Sequence, residues 1–262
     1  MGSLATFAEN AGIGVITLNN PPLNLLSREL MEDFAAAIDA ATRSTSRAVV
    51  LRAEGNHFSA GADAGMFVGV RSAEARPQLM DWLNALRKLE TLPVPVIASV
   101  QGVCLGAGLE VALYCDFIIA AASARFGCLE ATLGTTTLLG GAQRVAERIG
   151  PARARLFVYT ADTYDAQICL QWGLLADLVG DSELGQATET VARRIADGPT
   201  AAHTITKRLI AAWSDGGIAA ADELLVDLAP ALYDTADMQH AMSVLVEHGA
   251  RKLREKTSFT GW

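Results

Sequence analysis

The stretch that most constrains this chain runs from Pro95 to Phe126, PVIASVQGVCLGAGLEVALYCDFIIAAASARF. It reads as a short apolar strand (Val96 to Val100), a glycine-rich turn (Gly102 to Gly108), an apolar helix over about Ala107 to Tyr114, and a second strand (Phe117 to Ala121). A turn built of small residues lets another molecule approach the backbone closely. The helix N-terminus that follows offers N–H groups without intrahelical partners and a partial positive charge. Such a place holds an anion, or an oxygen that becomes one during a reaction. Glu110 falls in the first turn of the same helix. A carboxylate there is not placed to bind an anion; it reads as an acid, a base or a group that orients water.

The flanking chain repeats the alternation. Gly14 to Leu18 reads as a strand closed by Asn19-Asn20-Pro21-Pro22. Ser27 can cap the next helix, whose Leu30, Met31, Phe34, Ala37, Ile38 and Ala41 share one face. Ala48 to Arg52 is a strand, followed by a second small-residue turn, Gly55 to Asp63, where backbone N–H groups can again face a ligand. Pro77 to Thr91 is a helix ended by Leu92-Pro93-Val94-Pro95. Gly140-Gly141 open another, to about Ile149, and Pro151 starts the next. These alternations predict an α/β core over about residues 1–196. From 197 to 262 the pattern is helical, with breaks at Gly198-Pro199, Gly216-Gly217 and Pro230. That portion is too small to stand alone and is expected to pack on the core or on a neighbouring subunit.

Composition narrows the function classes. At 262 residues the chain can build one large core or a core plus a small appendage. A formal charge of −8 argues against non-specific nucleic-acid binding. Cys104, Cys115, Cys128 and Cys169 stand apart in apolar surroundings without a CxxC pair, so buried thiols are expected rather than disulfides or zinc. No basic region followed by an apolar run opens the chain, and no charge-free apolar stretch is long enough to span a bilayer. A cytoplasmic location is expected.

Two turns thus offer N–H donors, Ala60-Gly61-Ala62-Asp63 and Leu105-Gly106-Ala107-Gly108, and two carboxylates follow, Glu110 and Glu130. Both carboxylates lie in runs almost free of other charge, where an unpaired ion is costly to bury. A pair of glutamates is commonly two solvated charges, and spacing alone does not decide between that and catalysis.

The motifs together are more specific. Phe58-Ser59-Ala60-Gly61-Ala62-Asp63, Val100-Gln101-Gly102, Gly106-Ala107-Gly108-Leu109-Glu110, Cys115-Asp116, Phe126-Gly127, Glu130, Leu133-Gly134 and Gly140-Gly141-Ala142-Gln143-Arg144 occur in an order that resembles the enoyl-CoA hydratase/isomerase family, the crotonases. The resemblance covers nearly the whole chain and implies a spiral of ββα turns with a C-terminal helical part used in trimer contacts, trimers pairing into hexamers. It implies an acyl-CoA thioester as substrate, no metal, and no cofactor beyond the coenzyme A of the substrate. The N–H groups of Ala62 and Ala107 are then the oxyanion hole. Glu110 serves mainly the water and Glu130 mainly the α-proton in hydration of a trans-2-enoyl thioester. Ala60, Gly61, Ala62, Asp63 and Gly106 would meet the substrate and its coenzyme. Arg28 is either a contact to a CoA phosphate or a solvated helix-start arginine. Lys252 and Lys256 are either CoA contacts from a neighbouring subunit or charges on a tail helix.

The chain also departs from the family's pattern. Thr135-Thr136-Thr137-Leu138-Leu139 replaces the usual proline and glycine before the Gly-Gly pair, placing Leu138 and Leu139 near the acyl pocket. Met66 and Phe67 can line that pocket or fill the core. These departures keep open an isomerase, a hydrolase or a decarboxylase working through the same enolate, and a non-catalytic acyl-CoA-binding subunit. His57, beside the first donor turn, and Trp82, Trp172 and Trp213 read as structural residues.

Overall fold

The computed structural model describes residues 2–262. Strands β1 (Ala5–Asn10) and β2 (Ile13–Leu18) form an antiparallel pair, followed by α1 (Arg28–Arg43), β3 (Ala48–Ala53), α2 (Ser72–Glu90) and β4 (Val96–Val100). Then come β5 (Val103–Leu105), α3 (Ala107–Ala112), β6 (Phe117–Ala121), β7 (Arg125–Gly127), α4 (Gly141–Ile149), α5 (Pro151–Thr160), β8 (Tyr164–Asp165), α6 (Ala166–Trp172), β9 (Asp177–Val179) and α7 (Leu184–Ala196). The remaining chain is helical: α8 (Thr200–Leu228), α9 (Ala236–His248) and α10 (Leu253–Lys256).

Six strands make the main sheet in the order β1-β2-β3-β4-β6-β9, parallel except for β1 against β2. Its inner strands β2, β3, β4 and β6 are buried on both sides, so they read as nearly continuous apolar runs rather than alternating ones. The period of two still sorts their side chains. Ile16, Leu51, Ala98 and Ile118 face the large core that α1, α2, α3 and α4 cover. Ile13, Val50, Ile97 and Ile119 face the other way, against Leu184, Ala192 and Ala196 of α7. Ser99 and Thr188 share a hydroxyl hydrogen bond of 3.0 Å across that second face.

A smaller sheet, β5-β7-β8, stands off the ends of the main strands, and an isolated bridge of Ser59 to Cys104 extends it. Three successive strands therefore leave the main sheet and enter the small one, at Ser59, at β5 and at β7. The helix α3 starts where β5 ends, so its N-terminus is brought beside the Ser59 segment. The approach is close: a Cβ on Gly108 would lie 2.6 Å from the Ser59 Cβ and 2.7 Å from its carbonyl oxygen.

The Ser27 hydroxyl accepts from the Leu30 N–H, and the six apolar positions expected on the inner face of α1 are its buried residues. Helix α2 begins five residues earlier than expected, with Pro77 inside it; Glu74 reaches back to the Arg71 N–H and supports the extra turn. Helix α8 breaks at Gly217, with φ 76° and ψ −172°. The C-terminal helices are tied to the core by Arg47, which donates to Thr200 Oγ1 and to the Phe259 carbonyl, and by Lys207 paired with Asp116 at 2.9 Å. Asp237 is buried and accepts from the N–H groups of Thr260 and Gly261, fixing the final residues. Ile210, Trp213, Ile218, Val226 and Val246 stand exposed on this part of the single chain, so Trp213 does not pack within it. No helix among the described residues is long and apolar enough to cross a membrane. All four cysteines are buried and free, and burial pushes each thiol up.

The Gly108–Ser59 contact yields a test. Gly108→Ala should lower stability by about 1–3 kcal/mol through overpacking, read as a lower urea midpoint with an unchanged slope. An unchanged midpoint would show that α3 is free to move off the Ser59 segment.

Candidate active site

Two loops meet at the N-terminus of α3. In the first, Leu26 bridges Ala62 in parallel: the Leu26 N–H donates to the Gly61 carbonyl and the Asp63 N–H to the Leu26 carbonyl, which leaves the Ala62 N–H outside the ladder. In the second, the Gly106 N–H donates to the Gly127 carbonyl, and the Ala107 N–H opens the helix, where no carbonyl of an earlier turn exists to receive it. The two are adjacent, since a Cβ on Gly61 would lie 3.8 Å from the Ala107 nitrogen. Backbone bonds between Ser59 and both Val103 and Leu105 hold the loops in register. Asn24, buried with φ 48°, supports the first loop, donating to the carbonyls of Glu54 (2.8 Å) and His57 (2.7 Å) and accepting from the Ser59 hydroxyl on its own carbonyl (2.8 Å).

The carboxylates enter from two different elements. Glu110, on α3, is 1% exposed, and its Oε1 accepts from the N–H groups of Leu139 and Gly141, both at 2.8 Å. Burial pushes its pKa up to about 7; the Gly141 and Leu139 amides oppose that rise and the negative charge of Glu130 adds to it. Glu130 opens a 3-10 turn, Glu130–Leu133, and burial raises its pKa too. Its Oε2 is buried without a hydrogen-bond partner. Its Oε1 lies 3.3 Å from where a Cβ on Gly106 would stand, so a side chain before the second donor would crowd the acid, and the φ of 51° there favours glycine as well.

Both carboxyls line one cavity of about 360 Å³, together with Ala60, Gly61, Ala62, Gly106 and Ala107. The other walls are apolar: Leu26 and Met31 from before and within α1, Trp82 from α2, Phe67, and Leu138 and Leu139 from the loop preceding α4. The size fits an organic acyl group. Polar groups gather at one end of an otherwise apolar space: two amide donors, and two acids whose pKa values burial raises.

The loop carrying Leu138 and Leu139 is itself held. Tyr114, one turn beyond Glu110, donates its hydroxyl to the Leu139 carbonyl at 2.8 Å. Arg144 stacks 3.6 Å from the centre of the Tyr114 ring and pairs with both oxygens of Glu90. Thr137 Oγ1 accepts from the Ala142 N–H.

Of the residues singled out in the sequence, Glu110, Glu130, Ala60, Gly61, Ala62, Gly106, Ala107 and Leu138 converge on the cavity. The others lie elsewhere. Asp63 caps a 3-10 turn by accepting from the Gly65 N–H at 2.9 Å. Met66 packs half-buried against the core, while its neighbour Phe67 reaches the cavity. Arg28 lines a separate hollow with Glu32 and Asp81. Lys252 pairs with Glu255, and Lys256 lies 3.2 Å from His248. His57 accepts from the Val103 N–H, a structural role. Sequence reading missed Asn24, Tyr114, Met31 and Trp82 as site residues. An asparagine in a turn was the only one of these with a local signal.

Comparison with known proteins places the chain among relatives of one family. A family model described as enoyl-CoA hydratase/isomerase matches residues 8–256. The chain is 32% identical to the short-chain-enoyl-CoA hydratase of Clostridium acetobutylicum, over 90% of this chain and 91% of that protein. It is 30% identical to the crotonyl-CoA hydratase of Syntrophomonas wolfei, over 90% and 92% respectively. The crystal structure of an enoyl-CoA hydratase from Bacillus anthracis superposes with a TM-score of 0.90 at 26% identity, covering 99% of this chain and 100% of that one.

The raised pKa of Glu110 has a consequence for stability. Between its usual value, 4.5, and about 7 the folded protein holds a proton there that the unfolded chain has released. The contribution of Glu110 is therefore present at low pH and is lost as pH rises through that window, on the order of 3 kcal/mol in all. Glu110→Gln keeps a carbonyl acceptor for the two amides and does not titrate. Its melting temperature relative to the unmodified protein should rise from about pH 5 to about pH 8; a difference that stays flat would show that Glu110 titrates normally.

Proposed function

The chain belongs to the enoyl-CoA hydratase/isomerase family, and from that premise we infer that it is a hydratase, adding water to the double bond of a trans-2-enoyl-CoA thioester. The observation that carries the reading is the pair of buried carboxyls, Glu110 and Glu130, facing one apolar cavity beside two amide donors. A module that only bound acyl-CoA would bear the desolvation cost of both acids without using either.

In this reading the thioester oxygen accepts from the N–H groups of Ala62 and Ala107. As water adds to the β-carbon, the carbonyl becomes enolate-like and its oxygen gains the charge those donors stabilise; one such donor is worth about 3–4 kcal/mol of barrier. Glu110, already bonded to two amides that favour its ionised form, takes the proton of the attacking water. Glu130, with one oxygen unpartnered and no comparable donors, gives a proton to the α-carbon as the enolate collapses. The product carries hydroxyl on the β-carbon and hydrogen on the α-carbon, and a proton passing from Glu110 to Glu130 resets the pair. Only water and protons move, so the reaction calls for no metal and no cofactor other than the coenzyme A of the substrate.

In this reading the adenine end of that coenzyme meets backbone groups of the Ala60–Asp63 loop, while Arg28, outside the cavity, is either a contact to a CoA phosphate or a solvated helix-start arginine. The exposed apolar side chains of α8 and α9 support a homotrimer, or a hexamer of paired trimers, and we place the enzyme in the cytoplasm. Isomerisation or another enolate reaction is the competing reading, favoured by the altered Thr135–Leu139 loop, whose Leu138 and Leu139 line the cavity.

Glu110→Gln and Glu130→Gln should each lower hydration of crotonyl-CoA by about 10²- to 10⁴-fold while binding of a saturated acyl-CoA persists. Full activity in either variant defeats the assignment, and a product whose mass has not gained one water favours isomerisation. Tyr114 acts through the loop that serves Glu110 and is a positioning residue. Tyr114→Phe should lower kcat on the order of tenfold with little change in KM; a fall in melting temperature alone would leave Tyr114 a merely structural role.

A further inference from the structure

Behind one wall of the cavity lies a second hollow, of about 140 Å³, between α1 and α2. The two spaces share only Met31 and Trp82, which line both. Met31 is 2% exposed and Trp82 9%, so both side chains are packed in place and together form the partition. Beside the partition the far hollow has Ala35, Ala85 and Gln78, whose amide nitrogen is buried without a hydrogen-bond partner, and its charged groups, Arg28, Glu32 and Asp81, are exposed. The reacting end of the main cavity is fixed by Ala62, Ala107 and the two glutamates, and the Trp82–Met31 partition is part of its apolar wall. An alkyl chain lengthened along the α1–α2 side must therefore meet this partition, and the only added room there lies beyond it.

We propose that Trp82, backed by Met31, sets the length of the acyl chain, making this a site for short enoyl thioesters, and that the α1–α2 hollow is space on the far side of that partition which a longer chain would enter if Trp82 were smaller. The proposal rests on the acyl-CoA reading of the site and adds a length limit and the residue that imposes it. The indole is the larger element of the partition and comes from α2, whereas Met31 is unbranched and can adapt its shape. Removing the indole should therefore change selectivity more than removing the thioether.

The test compares C4, C8 and C12 chains in two assays: binding of the saturated acyl-CoA esters by calorimetry, and kcat/KM for the matching trans-2-enoyl esters. In the unmodified protein, affinity and kcat/KM should fall at least about tenfold from C4 to C12, whereas an apolar wall that stayed open would make both rise as methylenes are buried. Trp82→Ala should raise the C12-to-C4 ratio by about tenfold or more, with Trp82→Phe and Met31→Ala giving smaller rises. Adding Ala35→Phe to Trp82→Ala should cancel the gain by refilling the hollow. Trp82→Phe guards against a Trp82→Ala variant that fails to fold.

The proposal is overturned if the unmodified protein takes C12 as well as C4, if folded Trp82 and Met31 variants keep the original ratio, or if Ala35→Phe leaves the gain intact. The binding assay needs no turnover. Should no enoyl ester be hydrated, the hydratase reading falls, while the length limit still stands or falls on the saturated esters.

Discussion

An acid inside a helix with no exposed residue is the constraint around which the site is arranged. All six residues of α3 are buried, Glu110 among them. Its carboxylate is largely stripped of solvent, so the fold brings a loop to it: the amides of Leu139 and Gly141 both point at Oε1. That approach requires a bare α-carbon, because a Cβ on Gly141 would lie 2.8 Å from the Glu110 Cγ. Two hydrogen bonds favour the charged form, and desolvation with the nearby Glu130 favours the neutral one. Desolvation wins by enough to bring the group near neutrality, where an acid–base catalyst works best.

The parts of the fold legible in the sequence are those with a local cause. The inner face of α1 follows from its helical spacing and the Ser27 cap, and the breaks at Gly217 and before Thr200 follow from Gly-Gly and Gly-Pro. The initial strand β1 had no such cause. Its turn to β2 uses Ala11 and Gly12, both at positive φ, with alanine where asparagine or glycine would have announced a hairpin. Helix α2 was shortened at Pro77 because a proline in a helix usually marks its first turn, whereas here Arg71 and Glu74 supply an earlier start.

The candidate site divides along the same line. Its donor loops and acids carry small-residue turns and uncharged surroundings that are visible along the chain. Its walls do not: Met31 and Trp82 occupy apolar positions on α1 and α2, and nothing in their spacing separates a residue facing a cavity from one facing the core. Tyr114 and Asn24 act through carbonyls distant in sequence, Leu139 in one case and Glu54 and His57 in the other. Only the tertiary arrangement brings those partners together.

This division explains why family resemblance reaches the reaction class more readily than the substrate. In the proposed reaction the oxyanion donors are backbone atoms, so alanine at 62 and 107 serves as well as glycine wherever the methyl group clears the ligand, and the fold alone positions them. The acids are side chains, but their state is set by backbone amides and burial. The loop from Thr135 to Gly141 belongs to both parts. Its Leu138 and Leu139 side chains face the cavity, while the amides of Leu139 and Gly141 hold Glu110. A change there that reshapes the acyl wall also moves the donors that tune the acid. Trp82 has no such double role, since α2 supplies no hydrogen bond to either glutamate. Acyl selectivity at Trp82 can therefore vary without disturbing the proton chemistry, whereas selectivity at Leu138 and Leu139 is coupled to it.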